Sequence, residues 1–293
     1  MKRLLAIAAL VAALPAAAAD STGLTPLTEL ADGRYKGFRG GLYPGGRNTP
    51  AKEYLKVGLA RAAQVKPRDG KIVLLSIGMS NTTQEFQIFK RLADADPRKN
   101  PRVTIVDGAQ GGQDAIRSSD PAAPFWQVVD QRLAAAGATP KQVQVVWLKQ
   151  AYAGPREPFP ADARKLQGAL RTIHGILAAR FPNLKLVYLS SRTYAGYATT
   201  QLNPEPYAYQ TGFAVKWTVA DRIAGRLKGP WVGWGPYLWA DGLRARRDGL
   251  AWAVEDFAPD GTHPSQSGRQ KVAERLLRFF TTARTARSWF AVG

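Results

Sequence analysis

The chain has 293 residues, 41 Lys and Arg against 22 Asp and Glu, a formal net charge of +19 and no cysteine. That length allows one α/β domain or two small ones, and without thiols neither a disulfide framework nor a thiolate metal site can form. The charge suits an anionic partner such as an acidic polysaccharide, a cell-wall polymer or a membrane surface, or simply keeps the surface solvated; its scatter, with no compact basic tail, argues against nucleic acid.

Residues 1–19 read as a signal peptide. Lys2 and Arg3 open it, Leu4 to Leu14 is apolar, and Ala17-Ala18-Ala19 offers a cleavage site before Asp20. The apolar run is shorter than the roughly 20 residues a bilayer requires, and no later stretch is apolar enough to cross one. A periplasmic or secreted product is expected. Residues 20–50, with Gly40-Gly41 and Pro44-Gly45-Gly46, are expected to wrap the surface ahead of a single domain over 51–293.

Strands and helices then alternate. A helix is expected over Ala51–Ala63, a strand over Ile72–Ile77, a helix over Gln84–Ala95, and a short strand over Val103–Val106. Next come a helix over Pro124–Ala136, a continuous apolar strand over Val143–Leu148, a long helix over Ala161–Arg180, and a strand over Leu186–Ser190. A Tyr-, Asn- and Pro-rich loop over Thr193–Tyr207 leads to a helix near Tyr209–Gly225, a last strand at Trp231–Trp234 and a closing helix over Ser265–Arg284. The alternation predicts an α/β fold with a central, mostly parallel sheet and helices on both faces. In such a sheet a site forms beyond the carboxyl ends of the strands. Ser80, Gly111-Gly112 and Lys149-Gln150 all fall just past expected strand ends.

Two short motifs carry chemistry. Ser80 lies in Gly78-Met-Ser-Asn81, directly after a strand, as a candidate nucleophile or a helix cap. Asp260-Gly-Thr-His263 places a carboxylate three residues before one of only two histidines, a spacing that can orient an imidazole as a base. His174 sits inside a helix and reads as structural or exposed, and two histidines without cysteine make a zinc site improbable. Donors for a developing oxyanion are sought in the Gly111 and Gly112 N–H groups and the Gln150 amide; Lys149 is the alternative at that strand end. Asn81 beside the nucleophile, and Tyr194 and Tyr197 in the aromatic loop, are the candidate substrate contacts, with Arg192 or Arg244 available for an acid group. The run Trp231, Trp234, Tyr237, Trp239 fits core packing better than a sugar platform.

The order of these blocks resembles the SGNH (GDSL-type) hydrolase superfamily: a Gly-x-Ser-Asn after the first core strand, a Gly after the second, a polar amide after the third, and a late Asp-x-x-His. Gly78-Met-Ser-Asn81 is most similar to the carbohydrate or sialate O-acetylesterase-like branch, although Met79 is unusual there and Trp147-Leu-Lys-Gln-Ala151 lacks that branch's Gly-Glu after the Gln. The resemblance spans about Ile72 to Phe280. It implies a three-layer, flavodoxin-like sandwich, a Ser80–His263–Asp260 triad, and an oxyanion hole of Ser80, Gly111, Gly112 and Gln150. It further implies a small ester or O-acetylated glycan as substrate, with no cofactor or metal. Two other readings use the same residues: a polysaccharide O-acetyltransferase, and a non-catalytic binding protein for anionic cell-wall polymer on a decayed hydrolase scaffold.

Overall fold

The computed structural model describes residues 19–292. The expected signal peptide, apart from Ala19, lies outside the described residues. The segment after it forms a single turn, α1 (Leu27–Leu30), and a two-residue hairpin, β1 (Arg34–Tyr35) with β2 (Phe38–Arg39). It contributes more than a surface wrap, because Leu27, Leu42 and Tyr43 are buried. Asp241 pins its start, its carboxylate accepting from the Ser21 and Thr22 hydroxyls and the Thr22 and Gly23 N–H groups.

The remaining elements are α2 (Lys52–Ala62), β3 (Ile72–Gly78), α3 (Ser80–Ala95), β4 (Val103–Asp107), α4 (Ala115–Ser118), α5 (Pro124–Ala135), β5 (Val143–Lys149), α6 (Ala161–Arg180), β6 (Leu186–Leu189), α7 (Tyr207–Ile223), β7 (Trp231–Trp234), α8 (Gln266–Thr282) and α9 (Arg287–Phe290). Five strands form one sheet in the order β4-β3-β5-β6-β7, every pair parallel. The fold is thus the three-layer α/β sandwich that the alternation predicts. With right-handed crossovers, this order puts α3 on one face and α5, α6 and α7 on the other, and α8, packed against α3, shares its face. The observed α6–α7 contacts agree.

Every residue of the central strands β3 and β5 is buried, which is why both are mostly apolar rather than alternating, with Ser76, Gln144 and Lys149 as buried polar exceptions. At the β7 edge, α2 closes the sheet: the Tyr54 and Trp231 rings stack at 5.4 Å, and the Tyr54 hydroxyl donates to Val232 O at 2.7 Å. Gly58 makes this possible, since a Cβ there would stand 2.7 Å from the Trp231 ring. Through Tyr188, whose ring meets both Trp231 and Phe280, this contact continues into the α3–α8 seam, where Phe89 lies 5.3 Å from Phe280. Phe86 stacks under Trp147 of β5 at 5.5 Å. Truncating either Phe86 or Phe280 to Ala is expected to cost about 3–5 kcal/mol.

The chain leaves β3 toward β4 on one side and returns to β5 on the other. The crevice beyond the ends of β3 and β5 is therefore the switch point of the sheet, where ligands bind in open α/β folds.

Candidate active site

The Ser80 side of the crevice is built by an abrupt strand-to-helix turn. β3 ends at Gly78, Met79 is extended (φ −96°, ψ −165°), and α3 starts at Ser80. Only glycine fits at 78, because a Cβ would lie 2.3 Å from Thr82 Oγ1 and 2.4 Å from Lys149 O. The Thr82 hydroxyl donates to Lys149 O at 2.8 Å, tying the first turn of α3 to the end of β5. The helix thus begins four residues before Gln84, its expected start. Ser80, Asn81, Thr82 and Thr83 hide an amphipathic pattern, and tertiary hydrogen bonds hold them instead. Ser80 occupies the first helical position, where N–H groups have no intrahelical acceptor and the helix dipole favours negative charge.

The His263 side is a single tight turn. Gly261 has φ +62°, and a Cβ there would sit 1.8 Å from Tyr197 O. Asp260 Oδ1 accepts from the Thr262 and His263 N–H groups at 3.0 and 2.9 Å, while Oδ2 lies 2.5 Å from His263 Nδ1. Burial alone would raise the Asp260 carboxyl, but these hydrogen bonds, led by the His263 ring, outweigh it and hold the carboxyl below its ordinary range. A carboxylate at Nδ1 fixes the proton there and leaves the Nε2 lone pair free to accept. Nε2 lies 2.8 Å from Ser80 Oγ. The His263 and Asp260 side chains are 27 % and 29 % exposed, so the chain of three groups opens to solvent. Asn81 links the two halves, donating from Nδ2 to Thr262 O at 2.8 Å.

These residues border a cavity of about 200 Å³ whose wall includes Met79, Ser80, Asn81, Gly112, Ala153, Arg192, Leu202, Asn203, Thr262 and His263. Gly112 has φ +71°, and a Cβ on Gly111 would come within 3.9 Å of Ser80 Cβ, so the Gly111-Gly112 turn runs alongside Ser80. Among the described residues neither glycine donates its N–H to a backbone carbonyl.

Three expected contacts lie elsewhere. Gln150 is buried, and its Nε2 donates to Gln113 O at 3.0 Å and Ser118 Oγ at 2.8 Å, bracing the loop after β4 instead of facing the cavity. Both amide protons are already engaged, so the Gln150 amide is not free to serve as an oxyanion donor. Tyr194 and Tyr197 are also buried and absent from the cavity wall. The Tyr194 hydroxyl donates to Ala19 O, and the Tyr197 hydroxyl bonds Asp20 Oδ1 and Trp252 O. Their loop works through its backbone: Thr199 N donates to Asp260 O at 3.0 Å. Trp231, Trp234, Tyr237 and Trp239 are core residues.

Sequence reasoning missed two features. Asn203, the residue before Pro204, adopts φ +57° and enters the cavity wall while its Nδ2 donates to Tyr152 O at 3.2 Å. Asn tolerates that left-handed backbone better than most residues, but one Asn in a polar loop gives no other signal. The second is Glu85 on α3, both of whose oxygens accept from the Lys149 ammonium, at 0 % and 1 % side-chain exposure. Burial pushes Glu85 up and Lys149 down, to about 8, against their mutual attraction. His174 is equally enclosed, bonded through Nε2 to Pro230 O, and burial lowers it to about 4. Among the described residues no group of three or more His, Cys, Asp or Glu is arranged to hold a metal, and no helix is long and apolar enough to cross a membrane.

No family model matches the chain, and no curated protein matches it. Several solved structures do. One, described as a platelet activating factor from Streptococcus pneumonia, is 15 % identical over 77 % of this chain and 91 % of its own, with a TM-score of 0.43. The periplasmic domain of a lipopolysaccharide acetyltransferase from Salmonella ser. Paratyphi A is 13 % identical over 76 % and 94 %, TM-score 0.40. The salicylyl-acyltransferase SsfX3 of a tetracycline biosynthetic pathway is 13 % identical over 71 % and 54 %, TM-score 0.39.

Proposed function

We propose that the chain is an exported serine ester hydrolase of the SGNH type that removes small acyl groups, O-acetyl above all, from a carbohydrate. The observation that carries this reading is the continuous hydrogen-bonded line from Ser80 Oγ through His263 to Asp260, 2.8 and 2.5 Å long, at the edge of a cavity. In the reaction Ser80 Oγ attacks the acyl carbonyl while His263 Nε2 takes the hydroxyl proton, which activates an otherwise weak nucleophile. The negative charge that develops on the carbonyl oxygen falls beside the α3 N-terminus and the Gly111-Gly112 turn, whose N–H groups are suited to stabilise it. Collapse breaks the bond to the alkoxy oxygen, His263 returns its proton to the departing alcohol, and an acyl-Ser80 remains. Water then attacks that ester by the same route in reverse, releasing the acid and restoring Ser80. Asp260 keeps the imidazole in the reactive tautomer and steadies the imidazolium.

The test is release of acetate from p-nitrophenyl acetate and from acetylated glycans, with labelling by a fluorophosphonate serine probe. The expected result is turnover and labelling by the wild type and neither by Ser80→Ala. Equal rates for the two proteins would reject the nucleophile, and binding of anionic polymer without labelling would point to a non-catalytic protein.

A further inference from the structure

The amino end of the sheet, opposite the crevice, carries a row of cations. Each strand is entered through a basic residue: Arg102 before β4, Arg68 and Lys71 before β3, Lys141 before β5, Lys185 before β6 and Lys228 before β7. Hydrogen bonds hold these loops side by side. Ile72 N donates to Arg102 O at 2.8 Å, Gln142 Nε2 to Arg68 O at 3.0 Å, Asn183 Nδ2 to Lys141 O at 2.7 Å, and Trp231 N to Lys185 O at 3.0 Å. With neighbouring strands about 4.8 Å apart, the five spread the row over about 19 Å. Arg68, Arg102, Lys141 and Lys228 are exposed and Lys185 is half-buried, while Lys71 is spent on the Ala136 and Gly137 carbonyls. The ion pairs nearby, Arg98–Asp96, Lys99–Asp94 and Arg180–Asp130, use other cations. Asp69, beside Arg68, pairs with none of the row among the described residues.

A cation in the last turn of a helix, such as Arg61 of α2 or Arg180 of α6, answers to the helix dipole. That effect fades within a turn, and the strand-entry residues lie outside every α-helix. Like charges this close repel: burial, followed by the Arg61 and Arg68 charges, holds Lys185 below the ordinary lysine range. Arg61 and Lys185 also border a cavity of about 230 Å³, room for one anionic group between them. A bilayer is a poor match for this end, because no aromatic side chain is exposed among the described residues to anchor in it. A single-stranded nucleic acid would need the same rings to stack its bases. We propose that the amino end of the sheet docks an acidic polysaccharide, its chain running along the row and one anionic substituent seated between Arg61 and Lys185. The docked chain lies at the far end of the strands from Ser80, so the inference stands apart from the ester-hydrolase reading.

The test uses dextran sulfate and neutral dextran, which share a backbone and differ in charge. Calorimetry on the full chain at physiological salt should show binding to the first and none to the second. Arg68→Gln, Lys141→Gln and Lys185→Gln together should weaken binding by about tenfold or more, because each contact with a polyanion releases counterions. Lys36→Gln, Arg156→Gln and Arg247→Gln remove the same charge from exposed residues elsewhere and should leave binding within about threefold. On the wild type, dextran sulfate should shield Lys141 and Lys185 from acetylation while Lys36 reacts as before, a reading that needs no variant. Equal weakening by the two sets would overturn the proposal, as would unshielded lysines, or tighter binding of duplex DNA or phosphatidylserine vesicles than of dextran sulfate. Saturating dextran sulfate should leave turnover of p-nitrophenyl acetate unchanged, and inhibition would overturn the placement. Failure of the wild type to turn over that ester would instead sink the hydrolase reading and leave the polymer comparison standing.

Discussion

The two histidines of this chain occupy opposite kinds of surroundings. His174, on the long helix α6, is sealed at 1 % exposure, has one partner, a backbone carbonyl, and leaves Nδ1 with none. His263 is about a quarter exposed and has a partner on each nitrogen, a carboxylate behind and a hydroxyl in front. Burial makes the first hard to protonate; a line of hydrogen bonds equips the second to pass a proton on. Enclosure and partners together separate the structural imidazole from the one proposed as a base.

The comparison can be broken most directly at the nucleophile. Ser80→Ala and His263→Ala should each lower kcat/KM for p-nitrophenyl acetate by at least about 10³-fold, and the double variant should be no worse than the worse single one, because the groups act as a unit. Steady-state kinetics on the three proteins decides. Asp260→Asn should keep the turn but favour the wrong tautomer, a loss of about 10²–10⁴-fold concentrated in kcat. Asn81→Ala removes the tether to Thr262 O. Freed of that tether, the histidine turn should drift and kcat should fall by about ten- to a hundredfold with the melting temperature little changed.

The smallest effect sharpens the other half of the contrast. His174→Leu should leave kcat/KM within about twofold. It should also cost little stability, since Pro230 O keeps a second donor in Arg222 Nε at 3.0 Å. Between the ordinary histidine range and about 4, the unfolded chain binds a proton that folded His174 refuses, so wild-type stability drains away as pH falls through that window. Denaturant titrations from pH 7 to pH 4 should show a shallower decline for the variant. Glu205, which burial pushes up to about 7, titrates in an overlapping window with the opposite sign, so His174 is read from the difference between the two proteins.

Much of the fold was legible because its signals are local. The helix at Ala161–Arg180 and the strand at Trp231–Trp234 have the bounds their sequence patterns predict, and the buried β3 and β5 are recognisable as predominantly apolar, non-alternating runs. Ser80, Asp260 and His263 stood out because each lies in a short motif at the end of an element. The destination of Gln150 was not legible: whether its amide faces a cavity depends on Ser118, 32 residues away. Tyr194 and Tyr197 failed for the same reason, their hydroxyls finding acceptors about 175 residues distant at Ala19 and Asp20. Aromatic loop residues look alike in sequence whether they face a ligand or plug an interior gap, and only pairing across the chain tells them apart.

Ser80 opens α3, and the turn bearing His263 feeds directly into α8. Because those helices lie side by side, the reach of the hydroxyl to the ring is set by a seam of rings such as Phe89 and Phe280, well along both helices from the chemistry. The spacing between the Ser80 hydroxyl and the His263 ring is therefore geared to interior packing: a void opened in that seam should let one helix ride past the other and lengthen that spacing while the fold is retained.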